Sequence, residues 1–510
     1  MTHMLWVVLL PFLGALCCLI LRGRAVAGTG ILFSLAVLAV CTNLLPGIWT
    51  QGQIRVELGG WAAPLGIGLH LDGLGTFFLL LTAIVGVLVG LYAAGFFAQD
   101  KKHNAMGRHF WPIWLLLWGG LNGVYLCSDV FNAYVLLEVT GLSAVGLTVL
   151  SKTTASLVAG LRYLLAAMFA SLMYLLGVGL LYAACGQLDF VLLGQDMTQS
   201  PATLTAFGLM VFGLLVKTAL LPFHFWLPPA HSSAPAPVSA ILSALVVKAS
   251  FFLLLRIWFT VFPALTGQAG SSPVLPPGLF LGLLGGLAVL WGSLQAVRQI
   301  RLKLLIAYST VGQLGYLFLI FALLSVSHGA GGGPSGATDW TAMAWTGTVF
   351  HVFSHGLAKA ALFLAAGCLA LAMGTDDLNA MRNIAGRMPV ITFTLAMAGV
   401  SLMGLPPSAG FVAKWMLLRA ALASGQWWWA VVIILGGLLT AAYVFKILAY
   451  TFVPSQDETV PLRPVPPAMT LTALALALLC AVSGFRAEEV IALLPHGLDG
   501  SPLSAQGGSP

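Results

Sequence analysis

The sequence predicts an all-α membrane protein of about 14 transmembrane helices, with two inverted five-helix repeats and broken helices seven and twelve. Three observations carry that prediction. Of the 510 residues, 59% are hydrophobic and only 7% are charged, where a soluble domain carries about a quarter. The apolar residues fall into runs of about 20, the length that crosses a bilayer. Two of the runs contain prolines and a lysine: V-K-T-A-L-L-P-F-H-F-W-L-P-P-A-H around Lys217, and M-G-L-P-P-S-A-G-F-V-A-K-W around Lys414. Proline removes a backbone donor and interrupts the helical ladder. In lipid, such a break survives only where protein or a water-filled cavity satisfies the freed groups.

In order, the spans begin near Leu5, Thr29, Asp72, Phe110, Val130, Leu161, Thr205, Pro237, Gly278, Lys303, Ala342, Pro389, Trp427 and Pro467. Residues 1–109 hold three peripheral spans. Residues 110–262 form the first repeat (spans four to eight) and residues 263–452 the second (spans nine to thirteen). Residues 453–510 add a last span and a tail. The first run has no basic residues before it and no small-residue cleavage site, so it reads as a retained span. Gln51–Leu71 reads as a short extracytoplasmic excursion and Asp72 as a helix cap. Arg162 and Arg256 read as anchors at span ends. Gly312 and Gly315 suit close helix packing. Ser325–Trp340, with Gly331-Gly332-Gly333, reads as a flexible connector, and the segment after Phe485 as a surface tail.

Charge placement sets orientation and excludes one class of partner. Arg22, Arg24, Lys101, Lys102, Arg108, Lys152, Arg162, Arg298, Arg301, Lys303, Arg382, Arg387 and Arg463 fall on alternate connections; the opposite ones carry Arg55, Arg419 and Arg486. By the positive-inside rule both termini are then extracytoplasmic. The +7 balance suggests no nucleic-acid partner, because no basic cluster with aromatics lies in a polar region. The seven cysteines sit in or beside apolar runs without a C-x-x-C pair and read as small buried hydrophobes.

Glu138 is the acid well inside a span, and Lys217, Lys248, Lys414 and Lys446 are the buried lysines. Ionisable groups are rare in spans and mark ion paths. Glu138 and Lys217 therefore read as a pair. His224 and His231 flank the first break; His351, His355 and Lys359, spaced by four, share one helix face. Two histidines at that spacing lack a third ligand, so no metal and no cofactor is expected, and a relay of imidazoles fits better. Spans seven and eight match twelve and thirteen in their lysines. Five spans per unit is an odd number, so the units are inverted, and Gln313 stands where Glu138 has its counterpart.

These residues also carry a resemblance. The chain resembles the antiporter-like membrane subunits shared by respiratory complex I, membrane-bound hydrogenases and Mrp-type cation/proton antiporters, over about Asp72 to Phe452. P-F-H-F-W-L-P-P-A-H, H-G-L-A-K-A-A-L-F and R-L-K-L-L-I-A-Y-S-T are similar to that family's signatures, although Pro229 and Arg301 replace two customary aspartates. The resemblance implies a proton path through Glu138, Lys217, Lys248 and Lys414, with His224, His231, His351, His355, Lys359 and Lys446 as auxiliary relay. It implies partner membrane subunits, protons and Na+ as ions, and a bacterial cytoplasmic membrane. Length points first to the D-type chain of Mrp antiporters. The alternatives are complex I or hydrogenase subunits, and a subunit energising a non-redox partner such as an inorganic-carbon uptake complex. Any redox centre would lie on other chains, since the sequence has neither a cysteine cluster nor a dinucleotide fingerprint.

Overall fold

The computed structural model of the protein describes residues 2–262, 276–325, 337–454 and 462–491. The triple glycine and the tail beyond Ile491 lie outside those residues. Helices α1 (Thr2–Ile20) and α2 (Arg24–Gln51) form an antiparallel pair at the periphery. The all-helical expectation then meets an exception. Gln53–Glu57 (β1) and Gly68–Asp72 (β2) pair antiparallel, with Gln53 opposite Asp72 and Glu57 opposite Gly68. The cause is local: Ile54 and Val56 alternate with polar residues, the period of a half-buried strand.

Next come α3 (Gly73–Phe97), α4 (Lys101–Leu126), α5 (Val130–Thr148), α6 (Thr154–Cys185) and the short α7 (Phe190–Asp196). Aspartates start several of them. Asp72, Asp100, Asp129 and Asp189 each accept hydrogen bonds from first-turn amides, which is what a carboxylate at an N-cap supplies. The seventh span is broken into α8 (Pro201–Thr218), a tight turn at Phe223–Trp226 and α9 (Leu227–Ser233). The eighth runs through α10 (Ala236–Ile241), a π turn at Leu242–Val246, α11 (Val247–Arg256) and a second π turn at Ile257–Val261.

The second half repeats the plan with α12 (Pro277–Arg298), α13 (Leu302–Ser325), α14 (Ala337–Met373), α15 (Ile384–Arg387), the broken pair α16 (Pro389–Met403) and α17 (Ala409–Ala423), and α18 (Trp427–Phe452). Helices α19 (Pro467–Phe485) and α20 (Ala487–Ile491) follow. Among the described residues, twelve helical stretches are long and apolar enough to cross a membrane. Helix α4, more polar at its start, and the α16–α17 pair complete the fourteen. Glycine sets the α12–α13 spacing: a Cβ on Gly292 would stand 2.4 Å from the Gly312 amide nitrogen.

The inversion is visible in two matching backbone clasps. In the first half, Phe190 donates to the Ser128 carbonyl (2.9 Å) and Val130 to that of Leu188 (3.0 Å). In the second, Leu378 donates to the Ile300 carbonyl (2.9 Å) and Leu302 to that of Asp376 (2.7 Å). Each clasp joins the start of a half's second helix to the segment after its third. The first clasp lies at the end of the bundle carrying the β hairpin, the second at the opposite end, where Lys101, Lys102, Arg298 and Arg301 gather. That opposite end is called the basic end below.

Around the first clasp, Arg55 pairs with Asp189 (2.7 Å) and Arg256 with Asp72 (2.5 Å). Burial pushes the Asp72 carboxyl up, but the Arg256 guanidinium and the Gly75 amide outweigh it and hold it down at about 2. Arg256, expected to be an anchor, thus ties the eighth span to the start of the third.

Candidate functional site

Helices α5, α6 and α8 bring three side chains together in the first half. Lys217 Nζ donates to Glu138 Oε1 at 3.1 Å, and the Ser171 hydroxyl donates to the same oxygen. The pair is unequally sheltered, with 9% of the Lys217 side chain exposed against 26% of Glu138. Lys217 is the penultimate residue of α8, where the helix dipole favours a cation. The helix stops because Ala219 turns to φ 57°, left-handed space that favours glycine. Trp226, on the following turn, donates its indole N–H to the Val216 carbonyl (3.0 Å) and stacks on Tyr163 at 4.2 Å. One freed carbonyl is therefore satisfied by a tryptophan that sequence reasoning left unassigned. A signal was present in its fixed place between the prolines.

A cavity of about 20 Å³ touches Lys217, Thr140, Trp226 and Ser250. That is room for one water, which needs about 10–15 Å³. Ser250 accepts a hydrogen bond from Thr218 (3.1 Å) and lies two residues beyond Lys248. Lys248, 1% exposed, donates to the Ser243 carbonyl at 2.5 Å. The π turn makes this contact, because the widened turn presents a carbonyl five residues upstream.

Hydroxyls and carbonyls continue the line into the second half. Ser243 Oγ and Thr310 Oγ1 lie 2.9 Å apart, and Thr310 donates to the Ile306 carbonyl (3.1 Å). Lys359 donates to that same carbonyl at 2.9 Å and to the Ser309 hydroxyl. His355, on the same face of α14, stacks on His351 with ring centroids 6.0 Å apart. His351 Nε2 donates to the Gln313 carbonyl (3.3 Å), while the Gln313 side chain donates to Thr440 (3.2 Å) and Tyr443 (3.4 Å). The Tyr316 ring lies 5.4 Å from His351, and Lys414 Nζ stands 4.5 Å over that tyrosine ring. Lys414 also donates to the Leu402 carbonyl (2.6 Å) and the Met403 carbonyl (3.5 Å) at the end of α16.

Glu138, Lys217, Lys248, Lys359, His355, His351 and Lys414 thus form one polar line through the bundle. His231 is fully buried, but both its ring nitrogens lack a partner among the described residues; its ring faces Phe363 at 5.4 Å. His224 is half-buried on the turn, and no ion pair joins it to the lysines among the described residues. Lys446 departs from the sequence grouping. Its Nζ donates to the Val297 (2.8 Å) and Gln299 (2.7 Å) carbonyls, capping the end of α12 at the basic end. Lys303, not singled out from sequence, is buried and donates to the Ala234 carbonyl where α9 ends.

Comparisons with known proteins agree with this geometry. The family described as "NADH:quinone oxidoreductase/Mrp antiporter, TM" matches residues 127–440. The chain is 35% identical over 440 residues to the N chain of the NADH-quinone oxidoreductase of Desulforudis audaxviator, covering 85% of this chain and 83% of that protein. It is 29% identical over 445 residues to the D chain of the Na(+)/H(+) antiporter of Alkalihalophilus pseudofirmus, covering 86% and 83%. Its fold matches a chain of the Mrp complex from Dietzia sp. DQ12-45-1b at a TM-score of 0.84 and 23% identity, covering 98% of this chain and 97% of that one.

Proposed function

The chain belongs to the antiporter-like membrane subunits of the NADH:quinone oxidoreductase/Mrp antiporter family, and on that premise we propose that it is the proton-translocating subunit of a multisubunit membrane complex. The observation that carries this reading is the Glu138–Lys217 contact at 3.1 Å beside a broken helix. An ionised Glu138 favours the charged form of Lys217, and burial opposes it. When Glu138 is neutralised, or drawn outward by a neighbouring subunit at its partly exposed flank, the buried ammonium gives up its proton. Water in the adjoining cavity and the hydroxyls of Thr218 and Ser250 lead toward Lys248. Waters beside Ser243 and Thr310 lead on to Lys359, His355 and His351, with Lys414 as the exit.

The energies are commensurate. Moving one charge against 100 mV costs roughly 2.3 kcal/mol. A hydrogen bond to a charged group contributes about 1.5–3 kcal/mol, so breaking one pair is enough to bias one proton step.

The complex is of the Mrp Na+/H+ antiporter type with this chain in the D-type role, and Na+ exchange belongs to the assembly. A second reading is favoured by the 35% identity to the N chain of a quinone oxidoreductase, in which electron transfer on partner chains drives the same path. Identifying the chains that copurify with it separates the two. Basic residues gathered at one end of the bundle support a bacterial cytoplasmic membrane location with both termini outside. The direct test is proton uptake by proteoliposomes holding the purified complex: Lys217→Ala abolishes it while the complex still assembles. Undiminished uptake by that variant refutes the reading.

A further inference from the structure

A cavity of about 390 Å³ opens at the basic end between α2, α3 and α4. It falls within the about 300–1,000 Å³ typical of small-molecule sites. Val26, Phe97 and Trp111 form apolar walls, and Asn104, Arg108 and His109 form a polar rim. Close approaches build these walls. A Cβ on Gly30 would stand 2.1 Å from the Trp111 ring, and one on Gly107 would stand 2.7 Å from Phe97. Arg108 is exposed, and no carboxylate pairs with it among the described residues. The neighbouring Asp100 is engaged by His103 at 2.9 Å, and Lys101 and Lys102 add exposed positive charge.

We propose that this cavity binds an anionic phospholipid, its phosphate on Arg108 and His109 and an acyl chain against Phe97 and Trp111. The two chemistries of the site call for such a molecule: a free anion would leave the apolar walls wet, and a neutral lipid would leave the guanidinium without a counter-charge. Basic pockets between membrane helices at the cytoplasmic face take anionic headgroups. The site also accounts for the polar first turns of α4, which face headgroups instead of hydrocarbon.

The test uses the full chain in its purified complex, in nanodiscs of phosphatidylcholine with and without phosphatidylglycerol. Retained lipid is read by native mass spectrometry and stability by Tm. The wild type retains phosphatidylglycerol and its Tm rises with it. Arg108→Gln retains about fivefold less, as expected for about 1 kcal/mol per basic residue. Ala94→Leu, which narrows the cavity without altering charge, also loses retained lipid and decides the matter if Arg108→Gln fails to assemble. Lys102→Gln, away from the cavity lining, retains the wild-type amount. Equal retention in Arg108→Gln and Ala94→Leu overturns the proposal. So does a Tm rise produced by inorganic phosphate alone, or one produced only when another chain of the complex covers the groove.

Discussion

Both halves of the bundle hold an ammonium beside a broken helix, and they hold it by different means. In the first, Lys217 precedes the break and meets a carboxylate, Glu138, at 3.1 Å. In the second, Lys414 follows the break and meets two helix-end carbonyls and the face of Tyr316. A carboxylate changes charge when it takes a proton; carbonyls and an aromatic face do not titrate. The first half can therefore be switched and the second holds its cation at a constant strength. Gln313, standing in the second half where Glu138 stands in the first, bonds to Thr440 and Tyr443 and contributes no charge.

Four variants break or sharpen this contrast. Glu138→Gln keeps the shape and removes the charge, so proton uptake by the reconstituted complex falls by about tenfold or more, the equivalent of one charge-assisted hydrogen bond. Wild-type uptake in Glu138→Gln would show that the first half needs no switch. Tyr316→Leu removes the ring under Lys414 and lowers uptake by roughly fivefold to thirtyfold, on the scale of a desolvated cation–π contact. Tyr316→Phe keeps the ring and stays near wild type; equal losses in the two variants would point to packing instead.

Ser171→Ala leaves the pair intact and removes one donor to Glu138, costing about 1 kcal/mol or about fivefold in uptake. Asp72→Asn, outside both sites, spares uptake and lowers Tm. The asparagine still accepts from Gly75, so the loss reports the Arg256 pair alone, about 2 kcal/mol. The sign of its pH dependence follows from a folded carboxyl held at about 2, below its unfolded value. The pair's contribution is full above pH ~4 and disappears as pH falls toward 2. Wild type and Asp72→Asn should therefore converge in Tm across that window, which pH-dependent unfolding of the detergent-solubilised protein would show.

Much of this was legible in the sequence because charge is scarce in lipid. A lone acid and a lysine before Pro222 stand out where every other residue is apolar. The partners that are not charged were hidden. Ser171, Trp226 and Tyr316 look like packing residues at helical spacing, and nothing local distinguishes a serine that meets a carboxylate from one that meets its own helix. Lys446 was grouped with the relay because burial is readable and direction is not; its partners are backbone carbonyls that exist only once α12 ends beside it. The hairpin was missed because its strands are five residues each, too short for their alternation to stand clear of a loop.

The widened turn at Leu242–Val246 has a mechanical consequence. An α-helix advances about 100° per residue, and a π turn stores one residue more than the α-helix would use. Removing a single residue such as Ala244 would tighten the turn and swing Lys248 about a quarter of the way round its axis. Every later side chain of that span, Arg256 included, would swing with it. The aim of the central lysine and the tether to Asp72 at the hairpin are thus geared to the same surplus residue.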